Sequence, residues 1–196
     1  MNTAVVRTRS KLKTLDLVYA SMFSALMMIG ANITSFVPFM VIGGVPITLQ
    51  TFFAILAGAL LGSRIGALSM MVYAFIGLAG APVFARFSGG ISTIIHPTFG
   101  FILSFILVAY ITGKIIEKNG KLHFYIIAAL AGTAVNYLFG TNWMYFAYKL
   151  WSAAPEVFSY KIAWAWMAVP LPKDLLLAVL AGIFAHRMQR IVKRTR

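Results

Sequence analysis

Polar side chains gather at one end of two apolar, helix-length segments in the region from Gly43 to Gly100. Between Val45 and Phe84 the only charged residue is Arg64. Because the chain reverses between the segments, the polar start of the first and the polar continuation of the second are expected on the same side. Amides, hydroxyls and a guanidinium in one place can bind a small polar or anionic solute. The residues concerned are Thr48, Gln50, Thr51, Arg86, Ser88, His96 and Thr98.

The composition indicates that these segments lie in a lipid bilayer. Of the 196 residues, 61% are hydrophobic and only 11% are charged, which is unlike a soluble domain. The net charge of +13 could suggest nucleic acid, but the basic residues flank apolar segments and form no continuous basic face. We therefore predict a membrane protein with the lipid bilayer as its solvent and no nucleic-acid partner.

The sequence lacks the residues that metal sites, enzyme active sites and ATP-binding sites usually need. The chain has no cysteine, its three histidines are far apart in sequence, and it has only four acidic residues. No phosphate-binding loop of the G-x-x-x-x-G-K-[ST] type occurs. The sequence therefore predicts no metal site, no cofactor, no enzymatic activity and no ATP-driven motor within this chain.

The predicted fold is an all-α integral membrane bundle of six transmembrane helices. A basic N-terminus at 1–14 precedes the membrane domain at 15–190, and a basic tail follows at 191–196. Between the fifth and sixth spans lies a region rich in tryptophan and tyrosine, which is typical of a cap at one membrane interface. The last helix is expected to begin at Asp174 as its N-cap, after Pro172. The predicted spans are 15–37, 47–61, 65–81, 98–116, 122–142 or beyond, and 174–188.

The distribution of basic residues predicts the orientation of the bundle. With six spans both termini lie on one side, and 13 of the 17 Lys and Arg residues fall on that side. The positive-inside rule then places both termini in the cytoplasm, in a multi-pass membrane protein. The outer half would contain Gln50, Arg86, Asn136, Lys173 and Asp174.

Polar and charged residues at that depth are candidates for ligand binding, because such groups need partners or water. Arg86 and Lys173 are cations suited to an anionic group, and the others can hydrogen-bond a polar head. Each also has a structural alternative: a helix cap or ion pair for Asp174, lipid phosphate for Arg86, or contacts between helices. The other candidate residues for ligand binding are Thr48, Gln50 and Asn136.

Small residues on the first helix suggest a docking face. Ala20-x-x-x-Ser24 and Ser21-x-x-x-Ala25 place small side chains one turn apart, a pattern that lets helices approach closely in lipid. The partner is either another helix of this chain or a second membrane protein.

The motifs in the polar regions closely resemble the BioY family, the biotin-binding S components of energy-coupling factor transporters. The resemblance covers roughly 18–182 in the expected order. The matching segments are GGVPITLQT at 43–51, LLGSRIGA at 60–67, PVF at 82–84, SGG at 88–90, PTFG at 97–100 and PKD at 172–174.

The resemblance implies a six-helix, multi-pass subunit of the prokaryotic cell membrane that captures biotin from outside and delivers it inward. It implies two kinds of partner, a transmembrane coupling protein and two cytoplasmic ATPase subunits, which fits the missing phosphate-binding loop. The first helix, with Ala20, Ser21, Ser24 and Ala25, would be the docking face for the coupling protein. The loop at 38–46 would be a lid over the ligand.

The chemistry of biotin suits the candidate residues. Asp174 can accept from the ureido N–H groups, and Asn136 or Gln50 can donate to the ureido carbonyl. The valerate carboxylate would be received by Arg86 or Lys173. Phe87 and Tyr137 are expected to line the ring system. Two alternatives remain at this point: an S component for another vitamin, such as thiamine or riboflavin, and a membrane scaffold without a solute.

Overall fold

The structure, a computed structural model, describes residues 12–36, 41–42 and 45–195, and most of these residues are helical. Arg7, Arg9 and Lys11 of the basic N-terminus lie outside the described residues, as do 38–40 and 43–44 of the predicted lid. What the structure shows of that loop is a short antiparallel pair, β1 (Val41–Ile42) with β2 (Val45–Pro46). The helices are α1 (Thr14–Asn32), α2 (Gln50–Leu61), α3 (Ser63–Leu78), α4 (Phe99–Lys118), α5 (Leu122–Leu150), α6 (Tyr160–Ala168) and α7 (Leu171–Thr195).

The helices have the length and composition of a membrane protein, as predicted. Three of them, α1, α4 and α5, are long and apolar enough to cross a membrane. The pair formed by α6 and the 171–189 part of α7, bent by 53°, would make a fourth span. Apolar α2 and α3 are shorter, at 12 and 16 residues, so the count of six spans and the orientation stay predictions.

The turn between α2 and α3 sets the two helices side by side. Gly62 has a φ of 85°, a conformation that glycine adopts without strain. The Glu117 carboxylate, at the end of α4, accepts hydrogen bonds from both the Ser63 N–H and the Ser63 hydroxyl at 2.7 Å. Close packing of Gly58 on the Ala109 backbone joins α2 to α4 at the same time. The polar start of α2 and the chain leaving α3 consequently lie at the same end of the bundle.

The last helix begins earlier than predicted. The Asp174 N–H donates to the Pro170 carbonyl at 3.0 Å, so Asp174 lies inside the first turn, and the prediction that it is the N-cap is wrong. Pro172 is tolerated there because N–H groups of a first turn have no partner within the helix. The helix also continues to Thr195, past the predicted end at Met188. Asp174 is therefore not used as a cap, and its carboxylate can face the interior.

The small residues of α1 divide between the interior and the surface. Ala20 and Ser24 are buried, and the Ser24 hydroxyl donates to the Ser69 carbonyl of α3 at 2.7 Å. Ser21 and Ala25 are exposed on the outside of the bundle. A partner approaching through the lipid would meet Ser21 and Ala25, whereas Ala20 and Ser24 belong to the internal packing of α1 on α3.

Candidate ligand-binding site

A cavity of about 340 Å³ opens among the ends of α2, α4 and α7, the middle of α5 and the segment between α3 and α4. This volume falls in the range of roughly 300–1,000 Å³ that is usual for small-molecule sites. The cavity brings together seven of the eight residues predicted to bind a ligand. These are Thr48, Gln50, Arg86, Asn136, Tyr137, Lys173 and Asp174.

The eighth, Phe87, does not line the cavity. Its φ of 53° lies in the left-handed region, and its side chain is 53% exposed. The reversal of the chain at Arg86 and Phe87 therefore brings the arginine to the cavity and leaves the phenylalanine outside it. Other apolar side chains, which the sequence did not single out, form the walls. They are Phe84, Phe101, Ile102, Phe105 and Met167.

Asp174 has protein partners on both carboxylate oxygens. Lys173 Nζ lies 2.6 Å from Oδ1, and the Tyr137 hydroxyl donates to Oδ2 at 2.6 Å. Lys173 also donates to the Thr48 carbonyl at 2.8 Å, which ties the start of α7 to the chain before α2. Each carboxylate oxygen has a second lone pair, so Asp174 can still accept from a ligand while its charge is balanced by Lys173.

Gln50 is held by a chain of hydrogen bonds. Its Nε2 donates to the Tyr73 hydroxyl at 2.8 Å, and its Oε1 accepts from the Thr48 hydroxyl at 3.1 Å. The Tyr73 hydroxyl in turn lies 3.4 Å from the Val83 carbonyl. These contacts fix the orientation of the amide and leave one N–H and one lone pair for a ligand.

Asn136 joins three helices at a buried position. Its Nδ2 donates to the Ser104 hydroxyl of α4 at 2.7 Å, and its Oδ1 accepts from the Thr51 hydroxyl of α2 at 3.4 Å. Asn136 is 3% exposed and lines the cavity. The contact between helices that was weighed as an alternative is thus present, together with a position from which the remaining N–H can reach a ligand.

Arg86 has a different environment. It is exposed, and its guanidinium has no hydrogen-bond or ion-pair partner among the described residues. Partial burial lowers the pKa of His96, which also lines the cavity, and so favours its neutral form. Since Lys173 is paired with Asp174, Arg86 is the unbalanced cation among the described side chains of the cavity.

The arrangement suits a ligand with a neutral polar head, an apolar body and an anionic tail. Buried amide, phenol and carboxylate groups can bind the head, and the phenylalanines and Met167 can contact the body. The exposed Arg86 can bind the tail. In the part of the chain that the structure describes, no three His, Cys, Asp or Glu side chains are grouped so as to hold a metal ion.

Comparison with known proteins gives a consistent set of relatives. The sequence matches the model of the BioY family over residues 3–194. It is 45% identical to BioYB of Bacillus subtilis strain 168 over 187 residues, covering 94% of this chain and 92% of that protein. It is 32% identical to the biotin transporter BioY of Thermotoga maritima over 177 residues, covering 90% and 96%.

A solved structure shares the fold. It is the crystal structure at 2.1 Å of the S-component for biotin from an ECF-type ABC transporter, with a TM-score of 0.74 and 21% sequence identity. The match covers 92% of this chain and 95% of that one. The arrangement of helices described above is therefore one that a membrane S-component adopts.

Proposed function

Because this chain belongs to the BioY family, we propose that it is the biotin-binding S component of an energy-coupling factor transporter. The family match confirms the resemblance that the VPITLQT and LLGSRIGA motifs indicate. The apolar helices make the chain a multi-pass protein of the cell membrane. Its role would be to capture biotin from the extracellular side.

Biotin has a neutral polar head, an apolar body and an anionic tail, the three parts that the cavity can bind. Its ureido group offers two N–H donors and a carbonyl, which Asp174 and either Asn136 or Gln50 can bind. The bicyclic ring would lie between the aromatic walls and Met167, where a thioether is well accommodated. The carboxylate of the valerate chain would reach the exposed Arg86.

The observation that carries the proposal is the division of charge in the cavity. Lys173 and Asp174 balance each other at 2.6 Å, and Arg86 has no ion-pair partner among the residues that the structure describes. A ligand that is neutral at its head and anionic at its tail leaves no charge unbalanced. Thiamine, which is a cation, would add a positive charge beside Arg86 and fits this distribution less well.

The role of Arg86 can be tested with a neutral analogue. We expect purified wild-type protein to bind biotin about 10- to 100-fold more tightly than biotinamide, because a hydrogen-bonded charge pair contributes about 1.5–3 kcal/mol. Arg86→Ala should reduce the affinity for biotin and bring the two dissociation constants close together. Isothermal titration calorimetry in detergent would measure both ligands.

Lys161→Ala is a matched control, since Lys161 is an exposed cation that does not line the cavity. It should leave both constants unchanged. An Arg86→Ala protein that still prefers biotin to biotinamide by the wild-type factor would show that another group binds the carboxylate.

Transport requires partners, and we propose the family's transmembrane coupling protein with two cytoplasmic ATPase subunits. No phosphate-binding loop of the G-x-x-x-x-G-K-[ST] type occurs in the sequence, which supports an ATPase supplied by other subunits. The exposed Ser21 and Ala25 support docking through α1, because small side chains permit close approach of a second helix in lipid.

A further inference from the structure

We propose that the C-terminal end of α1 positions Arg86 for the ligand carboxylate, through the side chains of Asn32 and Ser35. The inference rests on the proposed function, in which Arg86 binds that carboxylate. Asn32 and Ser35 are positioning residues, since neither lines the cavity.

The segment that presents Arg86 has an unfavourable backbone. Arg86 and Phe87 have φ values of 62° and 53°, so two consecutive residues with side chains occupy the left-handed region. Each such residue costs about 1–2 kcal/mol relative to an ordinary conformation. The Phe84 N–H donates to the Ser88 carbonyl at 3.0 Å and closes the base of the turn. We expect that contacts from outside are needed to keep the two left-handed residues, and with them the Arg86 side chain, in place.

Asn32 supplies contacts on both sides of the turn. Its Oδ1 accepts a hydrogen bond from the Phe87 N–H at 2.8 Å, and its Nδ2 donates to the Val83 carbonyl at 3.2 Å. The same Nδ2 donates to the Met28 carbonyl of its own helix at 3.1 Å. Asn32 is 8% exposed, so these bonds form away from competing water and hold 83–87 to the end of α1.

Ser35 adds a contact at Arg86 itself. Its hydroxyl accepts from the Arg86 N–H at 3.1 Å. The backbone N–H groups of both left-handed residues are therefore bound by side chains from α1 and the turn that follows it. The free rotation that remains is within the Arg86 side chain, whose base is fixed at the edge of the cavity.

The test is the ratio of the dissociation constants for biotinamide and biotin. A loss of general stability or cavity shape weakens both ligands, whereas displacement of Arg86 weakens the binding of the acid alone. We expect Asn32→Ala to reduce the ratio by about fivefold to tenfold, and Ser35→Ala by about twofold to threefold. In an Arg86→Ala background neither change should alter the ratio further, because the group they position is gone.

Asn119→Ala is a matched control at the opposite end of the bundle, where the Asn119 side chain accepts a hydrogen bond from the Lys121 N–H. It should leave the ratio unchanged. If Asn32→Ala does not fold, Ser35→Ala decides the question, since Ser35 is only half-buried and its removal leaves a single N–H without its partner.

The outcomes separate this inference from the proposed function. If Arg86→Ala reduces the ratio of the two dissociation constants but Asn32→Ala and Ser35→Ala leave it unchanged, only the positioning role is overturned. An unchanged ratio in Arg86→Ala overturns the carboxylate role of Arg86, and the positioning role with it. A reduced ratio in all three variants is the expected result.

Discussion

Replacing Asp174 by alanine is expected to weaken biotin binding by about 100- to 1,000-fold, or roughly 3–4 kcal/mol. Asp174 is 9% exposed and would accept the ureido N–H groups in a site from which water is largely excluded. Its removal takes away a charged acceptor, the ion-pair partner of Lys173 and the hydrogen-bond acceptor of the Tyr137 hydroxyl. Radiolabelled biotin retained by the purified protein would measure the change.

Two further variants separate the lost acceptor from the unpaired charge. Lys173→Met combined with Asp174→Ala removes both members of the ion pair. The double variant should therefore be thermally more stable than Asp174→Ala alone, while its biotin binding stays weak. Asp174→Asn keeps the shape of the side chain and should lower the affinity for biotin about tenfold, because a neutral acceptor is weaker than a carboxylate.

Glu156→Ala is the matched acidic control, since Glu156 is exposed and does not line the cavity. It should bind biotin as the wild type does. Near wild-type affinity in Asp174→Ala would contradict the assignment of Asp174 to the ureido group.

Replacing Ala25 by tryptophan is expected to reduce biotin uptake at least tenfold in cells that supply the coupling protein and ATPases. Ala25 is exposed on α1 one turn after Ser21, and a large ring there would hold a second helix away. Binding by the purified subunit should stay close to the wild-type value, because the side chain points away from the cavity. Uptake of labelled biotin and titration of the same variant would be compared.

Leu138→Trp is the control for a large ring on the lipid-facing surface. Leu138 is 56% exposed on α5, away from the face proposed for docking. Its variant should keep both uptake and binding. Full uptake by Ala25→Trp would mean that the coupling protein docks elsewhere.

Much of the cavity could be predicted from the sequence, because polar residues in apolar surroundings are few. Gln50, Asn136 and Asp174 stand out against the spans that contain them, and a bilayer leaves such residues few alternatives to the interior. The apolar walls could not be singled out in this way. Phe101 and Phe105 belong to a helix in which most residues are apolar, so nothing in their type shows which of them face a ligand.

The sequence-based predictions for Phe87 and for the start of the last helix differ from the structure, because both depend on backbone conformation or on distant contacts. Phe87 was expected at the ring system, but two left-handed residues turn it outward, and that conformation depends on Asn32, far away in sequence. Asn32 belongs to no recognisable motif. The sequence shows only that a polar amide lies at the end of an apolar helix. Asp174 was expected to cap a helix because Pro172 precedes it, yet the helix begins at Leu171 with the proline inside its first turn.

One contact of Lys173 could not be predicted from the sequence. As neighbours in sequence, Lys173 and Asp174 could be recognised as a possible ion pair. The contact from Lys173 to the Thr48 carbonyl depends on the packing of α7 beside α2. That contact distinguishes Lys173 from Arg86 as a candidate for the carboxylate.

The most direct test of the account is a calorimetric titration of the detergent-purified protein with biotin, together with tryptophan fluorescence. Trp143 belongs to α5, Trp151 follows its last residue, and Trp164 and Trp166 belong to α6. These two helices contribute Asn136, Tyr137 and Met167 to the cavity, so the tryptophans can report on binding there. We predict saturable binding at one site per chain, with biotinamide weaker and thiamine without effect. Absence of biotin binding by protein that circular dichroism shows to be folded would contradict it.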